Sequence, residues 1–489
     1  MKEELIITPW AEQTSAEIIK RQKNNLVACG VTPSGPFHLG SMREVITADE
    51  TYKALLDKKD GAKLIYVADN FDPLRKLYPF LPQEFEKYIG WPLSKIKDPF
   101  SCHKSYDEHF LSPFFEALKE LKVDLEVVYM DQMYQTGKMT EVVSIALEKT
   151  AEIREILERV TGREIEGDWS PFMPLCSKCG KINSSKVVSF DTQKHEVNYQ
   201  CACGHSGVAD YSKGEGKLLW RIDWPARWKV LGVTAEPFGK DHAAAGGSWE
   251  SGKEICEKIF QVPSPFPIIY EWINLKGMGA MSSSKGIVIT VEDLLKVIPP
   301  ELLRASIVKS SPNRHLDFDP GKGLMNLADE YSHSHPESLP FRHLVNIVQA
   351  SLGDLNEIKR QFEQTGHGEI VQDEKELKIQ IERANNWLEK FAPAEFKFEI
   401  QKKMPSIEID PKQKELLSKI IELLENEKNP EKLHNQIYEA GKDLGLSPRE
   451  TFQPIYQLLL GKDSGPKAGW FLVMLDKNFV VNRFKEATG

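Results

Sequence analysis

The stretch LVACGVTPSGPFHLGS, residues 26–41, decides the fold of this chain. Its first five residues form a short apolar run, which predicts a buried parallel strand. A loop rich in proline and glycine follows, and helical periodicity then extends from about His38 to Lys58. A strand, a tight loop and a helix in this order predict the start of a βαβ unit.

Apolar runs and helical stretches alternate along the rest of the first two thirds of the chain. The strand-like runs are KLIYVA (63–68), DLEVVYM (124–130), VTAEPFG (233–239) and a run near 267–274, and the helical stretches lie near 107–122 and 249–260. This alternation predicts an α/β fold with a doubly wound parallel sheet of the Rossmann type. Because ligands bind beyond the carboxyl ends of such strands, we expect the proline and glycine loop to border the functional site.

Changes in periodicity divide the chain into four segments. We expect the first half of the Rossmann-type domain at 1–161, a small insertion at 162–216, the second half of the domain at 217–328, and an all-α domain at 329–489. Neither the helical period nor the alternation of a strand is present in the insertion. The last segment shows charged helical faces without strand alternation, which predicts a bundle of helices.

Composition limits the classes of protein that fit. The chain has 489 residues, of which 41% are hydrophobic and 28% charged, and it lacks an apolar run of the roughly 18 residues that a membrane span needs. The segment Met1–Gln13 lacks the basic and apolar stretches of a secretory signal, so we expect a cytoplasmic protein without membrane association. A net charge of −9 argues against a protein that coats nucleic acid non-specifically.

Four of the seven cysteines form two tight pairs inside the insertion. Two residues separate Cys176 from Cys179, and one residue separates Cys201 from Cys203. A glycine follows each pair. This spacing predicts a tetrahedral Zn²⁺ site whose four thiolates leave no place for water, so the zinc is expected to be structural. His205 is a weaker candidate ligand, and reduced thiols without metal are the alternative.

Two loops carry the residues expected to do chemistry. In the first, the amino terminus of a helix and two glycines offer N–H groups to phosphate, and His38 can donate a further hydrogen bond. In the second, GAMSSSKG (279–286), the ammonium of Lys285 can meet the charge that builds on a departing phosphate. Taken singly, the first is more often an ordinary turn and the second an ordinary surface loop.

Together, the two loops resemble the signatures of the class I aminoacyl-tRNA synthetases. HLGS (38–41) resembles the signature HIGH, MSSSK (281–285) resembles KMSKS, and GKDH (239–242) lies between them, where this class has a loop near the adenosine. The stretches PSGPFHLGSMREV, PFGKDHAAAGGSWESG and FPIIYEWINLKG and the paired cysteines are most similar to the lysine-specific branch. The likeness covers about the first 320 residues. Ser41 and Ala280 depart from the two signatures.

The resemblance implies an ATP site, with Mg²⁺ as counter-ion. We assign to it Pro33, Ser34, Gly35, His38, Gly40, Ser41, Asp241, His242, Met281, Ser283, Ser284 and Lys285. His38 and Lys285 are the candidate catalytic residues, since stabilising phosphoryl charge is the main task of such a site. We expect no covalent nucleophile, and Cys29 is interpreted as a small core residue.

A lysine pocket needs a carboxylate for the ε-ammonium and aromatic walls. Glu44 follows His38 by nearly two helical turns and is the first choice for the ammonium, against the alternative of a solvated acid favoured by the helix dipole. Tyr270 and Trp220 are candidate walls, although aromatic residues are more often part of a core. Thr32 is expected to meet the α-amino group.

The resemblance also implies binding partners, and it leaves three alternative functions open. L-lysine, ATP and tRNA(Lys) are the expected ligands, residues 217–328 include helices that contact the tRNA stem, and residues 329–489 are expected to read the anticodon. We expect a monomer that needs bound tRNA before activation. The alternatives are a glutamate-specific synthetase using Arg43, a cysteine-specific one, or a relative that binds RNA or nucleotide without charging, which Ala280 slightly favours.

Overall fold

A computed structural model describes residues 8–276, 279–280 and 289–489. The chain forms two compact units. The first consists of the described residues within Met1–Asp293 together with Ser306–Phe318, and the second of Leu294–Ala305 and Asp319–Gly489. Among the described residues, the helices are all too short or too polar to cross a membrane.

The elements are numbered in chain order. The strands are β1 (Leu26–Cys29), β2 (Lys63–Ala68), β3 (Glu126–Tyr129), β4 (Phe172–Pro174), β5 (Ser185–Asp191), β6 (Glu196–Cys201), β7 (Ser206–Asp210), β8 (Gly216–Leu218), β9 (Ala235–Gly239), β10 (Phe266–Tyr270), β11 (Ile273–Leu275), β12 (Gly279–Ala280) and β13 (Leu316–Phe318). The α-helices are α1 (Pro9–Arg21), α2 (Leu39–Asp57), α3 (Tyr106–Glu120), α4 (Met130–Gln135), α5 (Thr140–Glu148), α6 (Thr150–Thr161), α7 (Trp220–Leu231), α8 (Lys240–Ala243), α9 (Ser248–Glu254), α10 (Val291–Leu295), α11 (Pro300–Val308), α12 (Lys322–Ser334), α13 (Phe341–Ala350), α14 (Leu355–Gln364), α15 (Glu374–Lys390), α16 (Pro411–Asn426), α17 (Pro430–Asp443), α18 (Pro448–Leu460), α19 (Ala468–Met474) and α20 (Lys477–Thr488).

A five-stranded parallel sheet organises the first unit. Its strand order is β10-β9-β1-β2-β3, and every pair in it is parallel. The chain builds outward from β1 on one side and later returns to pair β9 with its other edge, so the topological switch lies between β1 and β9. Ligands of such sheets bind beyond the carboxyl ends of the strands at this switch, which here means next to Gly30 and Gly239.

The predicted α/β fold is confirmed, with two local corrections. The single strand expected near residues 267–274 is two strands in different sheets, β10 and β11. The break falls at Glu271 and Trp272, because the Glu271 N–H bonds the Pro312 carbonyl instead of a sheet neighbour. The helix expected near 249–260 is α9 followed by a π-helical turn at Ile255–Ile259.

The insertion consists of short antiparallel strands. β4 pairs with β8, and β5, β6 and β7 form a separate three-stranded sheet. Its small core contains Cys176, Tyr199, Cys201 and Ala209. Phe172, Ile182, Val197 and Tyr211 of the insertion are buried in the main core instead. The separate cluster around the cysteines is small, so a bound metal could contribute to its stability.

The second unit is helical from α12 onward, as its charged periodic faces predict. Two of its helices start with reciprocal capping boxes, Asp410 with Gln413 on α16 and Ser447 with Glu450 on α18. The fully buried Trp387 donates its indole N–H to the Pro320 carbonyl. These caps and the buried indole satisfy polar groups that a helical bundle would otherwise leave unpaired.

Candidate active site

A cleft of about 670 Å³ opens at the switch between β1 and β9. Its lining includes these sequence-predicted site residues: Thr32, Ser34, His38, Gly40, Ser41, Glu44, Trp220, Asp241, His242 and Tyr270. Pro33 and Gly35 are not among the lining residues, although they belong to the same loop. Met281, Ser283, Ser284 and Lys285 lie outside the described residues.

His38 occupies the cap position of helix α2. Its Nδ1 accepts a hydrogen bond of 3.0 Å from the Gly40 N–H. Burial lowers the pKa of His38, so the imidazole is neutral at physiological pH and carries its proton on Nε2. A Cβ at residue 40 would lie 2.8 Å from the imidazole. Glycine at this position therefore leaves room for a ring that presents an N–H donor to the cleft.

The loop before His38 is held by helix α3. The Tyr106 hydroxyl donates to the Ser34 carbonyl at 2.7 Å, and the rings of Phe37 and Phe114 stack at 4.1 Å. At the carboxyl end of β1, a Cβ on Gly30 would lie 2.3 Å from the Val67 carbonyl oxygen. Only glycine permits this close approach. The backbone around the amino terminus of α2 is thus fixed by contacts from neighbouring elements.

Glu44 is a buried acid at the cleft. Its carboxylate accepts hydrogen bonds from the Gly30 N–H at 2.8 Å and from the Tyr270 hydroxyl at 2.7 Å. Burial raises the pKa of Glu44 to about 8, even though both hydrogen bonds act to lower it. The alternative of a solvated acid is wrong, since the residue is 9% exposed. A desolvated carboxyl with two donors already in place is suited to receive a third, cationic donor.

Aromatic rings form the opposite side of the cleft. Trp220, the first residue of α7, stacks on Trp224 at 5.4 Å, and its ring centre lies 6.1 Å from that of His242. His242 is oriented by a bond of 2.7 Å between Nδ1 and the Ser248 hydroxyl, and burial lowers its pKa. Trp220 lines the cleft, in line with its predicted position as a wall.

Glu236 supports this aromatic side from below and was missed by the sequence analysis. Its carboxylate accepts indole N–H bonds from Trp224, at 3.1 Å, and from Trp228. Burial raises the pKa of Glu236, and the two indole bonds oppose that effect. The bond to Trp224 helps to fix the ring that stacks on Trp220 and lies 5.5 Å from the ring of His242.

A buried ionic network lies behind Thr32, and sequence patterns did not reveal it. The Thr32 hydroxyl donates to Asp72 at 3.3 Å. The ammonium of Lys217, brought in by β8 at the end of the insertion, lies 2.6 Å from Asp72, 3.2 Å from Asp69 and 3.5 Å from Asp223. Arg227 pairs with Asp69 and Asp223 from the other side. The exposed Arg75 lies 3.5 Å from Asp72, so the three acids face three cations and their formal charges balance.

Arg43 also lines the cleft, but its guanidinium is engaged elsewhere. It donates to the carbonyls of Pro312 at 2.9 Å and Arg314 at 2.7 Å, and more weakly to two other carbonyls. Lys240 pairs with Glu271 and lies 5.0 Å from the ring centre of Trp272. Arg43 and Lys240 therefore already have partners within the fold, and Arg75, which also lines the cleft, lies 3.5 Å from Asp72.

The four paired cysteines of the insertion come together. The Sγ atoms of Cys176 and Cys203 are 3.8 Å apart, and those of Cys179 and Cys201 are 3.7 Å apart. Tetrahedral zinc with bonds of about 2.3 Å to sulfur has edges of about 3.8 Å. The donor set therefore fits zinc. His205 bonds the Ser177 hydroxyl at 3.0 Å and is not part of the four-thiol cluster.

Comparison with known proteins identifies relatives along the whole chain. Residues 8–346 match the family described as tRNA synthetases class I (K), and residues 340–488 match the anticodon binding domain family. Proteins named lysine–tRNA ligase are similar to this chain in Archaeoglobus fulgidus (44% identical, covering 98% of this chain and 99% of the relative) and Thermoplasma volcanium (39%, 98% and 99%). A lysine–tRNA ligase 1 of Methanosarcina acetivorans is 42% identical, covering 98% of both chains.

Proposed function

The chain belongs to the class I tRNA synthetases of the lysine type, and from this premise we propose which residues carry its reaction. It is an enzyme that uses ATP to activate lysine and attaches the lysine to tRNA. Lysine's carboxylate attacks the α-phosphorus of ATP and pyrophosphate leaves. A ribose hydroxyl at the 3′ end of the tRNA then attacks the adenylate and AMP is released.

Glu44 receives the ε-ammonium of lysine in this proposal. The observation that carries it is a buried carboxyl group held by Tyr270 and the Gly30 N–H at the end of β1. The charges around the cleft agree, because four acids line it (Glu44, Asp72, Asp241 and Glu271) against two arginines. Trp220 and Tyr270 form the walls around the aliphatic stem, and Thr32, beside Asp72, meets the α-amino group.

A glutamate substrate fits this cleft less well. Its side-chain carboxylate would need an unpaired cation, whereas Arg43 bonds backbone carbonyls and Lys240 pairs with Glu271. Glu44 offers such a carboxylate no cation, and its ionised form would repel it. A cysteine enzyme would use zinc to bind the substrate sulfur, but the four thiols of the insertion would complete a tetrahedral shell.

His38 and the amino terminus of α2 bind the phosphates of ATP. The Nε2–H of a neutral imidazole donates to phosphate oxygen, and the first N–H groups of the helix add their partial positive charge. Pro33, Ser34, Gly35, Gly40, Ser41, Asp241, His242, Met281, Ser283 and Ser284 complete the nucleotide site. Lys285 stabilises the charge on pyrophosphate, and Mg²⁺ supplies additional neutralisation when bound. Catalysis is then positioning and electrostatic stabilisation.

Zinc has a structural role in this proposal. Cys176, Cys179, Cys201 and Cys203 would hold it, and zinc bound by four thiolates lends folding free energy and takes no part in the chemistry. We assign 162–216 to this zinc insertion and 1–161 with 217–328 to the catalytic domain. Residues 329–489 bind the anticodon of tRNA(Lys), in line with the family match at 340–488, and the enzyme acts as a monomer.

Charging of total tRNA with each radiolabelled amino acid in turn tests the specificity. We expect lysine alone to be attached, and the Glu44→Gln variant to lose that activity at limiting lysine. The Asp57→Asn variant, altered at the exposed end of the same helix, is the matched control and should charge normally. Attachment of glutamate or cysteine would contradict the proposal, and a chain that charges nothing would belong with the non-charging relatives.

A further inference from the structure

Four metal-binding side chains converge at the loop that leads into helix α3, away from the four-thiol cluster. They are Asp98, Cys102 and His103 from the loop, and His109 from the first turns of the helix. One ligand atom from each lies within 4.8 Å of every other. The spacing D-x3-C-H-x5-H is local in sequence, and it was not singled out among the sequence motifs.

The distances inside this cluster are those of a metal shell. The Cys102 Sγ lies 3.2 Å from the Nδ1 of His103 and 3.1 Å from the Nδ1 of His109. The Asp98 Oδ1 lies 3.2 Å from His109 Nδ1, and its Oδ2 lies 3.8 Å from His103 Nδ1. Ligands on tetrahedral zinc, with bonds of about 2.0–2.1 Å to N or O and about 2.3 Å to S, are separated by about 3.3–3.6 Å. The observed separations bracket that range.

The carboxylate of Asp98 is prepared for such a role. It is 4% exposed and accepts backbone N–H bonds from Phe100, Cys102 and His103. Hydrogen bonds of this kind orient ligating carboxylates in metal sites. They leave Oδ1, which bonds the Phe100 N–H, with a further lone pair facing the Nδ1 atom of His109.

The charges of the donor set also balance. One thiolate and one carboxylate together neutralise a divalent cation, and two neutral imidazoles complete four ligands. Sulfur and imidazole in one tetrahedral set favour Zn²⁺ over Mg²⁺ or Ca²⁺, which prefer oxygen.

We propose that Asp98, Cys102, His103 and His109 bind a second zinc ion, distinct in donor set from the four-thiol site. The ion ties the loop to the first turns of α3. Tyr106 lies in that turn, and its hydroxyl holds the Ser34 carbonyl beside the nucleotide loop. The second ion is thus a structural brace for one side of the cleft, and it stands independently of the roles assigned to Glu44 and Lys285.

Metal content of the purified full-length chain tests the proposal. Inductively coupled plasma mass spectrometry should find two zinc ions per chain, and one in His109→Ala or Cys102→Ser. Lys104→Ala, in the same loop, keeps all four ligands and should retain both ions. Equal zinc content in wild type, His109→Ala and Cys102→Ser would overturn the proposal.

A second measurement does not depend on whether a variant folds. X-ray absorption at the zinc edge of the wild-type chain should show nitrogen and oxygen neighbours as well as sulfur, because the two donor sets are averaged. Sulfur as the sole neighbour would mean that the thiol cluster alone is occupied, and would overturn the second site. Removal of zinc by a chelator should expose the Cys102 thiol to alkylation, and return of Zn²⁺ should suppress that alkylation. Alkylation that continues after the return of Zn²⁺ would also contradict the second site.

Discussion

The two ends of the cleft handle charge in different ways. At the end where we propose that lysine binds, Glu44 is a buried acid whose pKa burial raises to about 8. At the end where we propose that phosphate binds, His38 is a buried base whose pKa burial lowers. Desolvation therefore keeps both groups neutral when the cleft holds no ligand. The ammonium of lysine would ionise Glu44 on binding, whereas a phosphate meets neutral N–H donors and a helix terminus that need no change of charge.

The largest expected effect breaks the lysine end. Glu44→Gln removes one partner of a buried ion pair, which costs roughly 3–5 kcal/mol in comparable cases. We expect the lysine KM in pyrophosphate exchange to rise by a corresponding factor, while the ATP KM changes little. Asp57→Asn is the control on the same helix. Equal rises in both constants would mean that Glu44 does not contact the ammonium.

The next effect breaks the phosphate end. Lys285→Ala should raise the barrier to lysine activation by at least about 2.7 kcal/mol, if its loss resembles that of one oxyanion donor. The change is expected in kcat rather than in the lysine KM, because the ammonium acts on charge that develops in the transition state. Single-turnover formation of the adenylate measures it. A variant as fast as wild type would remove Lys285 from the mechanism.

A smaller effect is expected when Glu44 loses the hydrogen bond from Tyr270. Tyr270→Phe removes one hydrogen bond to a charged group, which is worth about 1.5–3 kcal/mol. Because the Tyr270 hydroxyl lowers the pKa of Glu44, its loss should raise that pKa and move the pH dependence of lysine binding to higher pH. The lysine KM measured from pH 6 to pH 9 reports both. If the lysine KM rises but its dependence on pH does not shift, Tyr270 has a packing role only.

The smallest effect is the pH dependence of the wild type. With a Glu44 pKa of about 8 in the empty cleft, lysine bound below that pH must displace a proton from the carboxyl. Affinity should rise with pH by up to about tenfold per unit and level off above pH 8, before the ε-amine loses its own proton near about 10.4. Calorimetry in buffers of different ionisation enthalpy measures the released proton. A flat profile, as expected for Glu44→Gln, would contradict an ionising Glu44.

Local patterns were sufficient for the sheet and for the position of the loop 31–37 beside the cleft. The strand Lys63–Ala68 has the predicted bounds, since the five consecutive apolar residues Leu64–Ala68 are all buried and leave little choice of register. His38 and Glu44 share the predicted helix, so their common position at the cleft follows from helical spacing. The position of a strand break was harder to predict from the sequence. The break at Glu271 depends on a hydrogen bond to the Pro312 carbonyl, which is far away in sequence.

What the sequence could not reveal depends on contacts between distant segments. Glu236 acquires its role from two tryptophans on α7, and Asp72 from a lysine on β8. Arg43 looked like a candidate anion receptor, because its carbonyl partners at residues 312–314 cannot be read from its neighbours. The candidate metal ligands of the loop before α3 are a different case: Asp98, Cys102, His103 and His109. Their spacing is visible in the sequence, but only the structure shows that their ligand atoms lie close together.

The position of Lys217 has a consequence for how the chain can be cut. This lysine reaches the cleft on β8, yet three acids of the sheet domain surround its ammonium. Excising the insertion together with β8 would remove Lys217 and leave three buried acids, Asp69, Asp72 and Asp223, with Arg227 as their buried cation. The insertion with β8 is therefore part of the buried charge network of the sheet domain, and we expect a shortened chain to be destabilised unless another cation replaces Lys217.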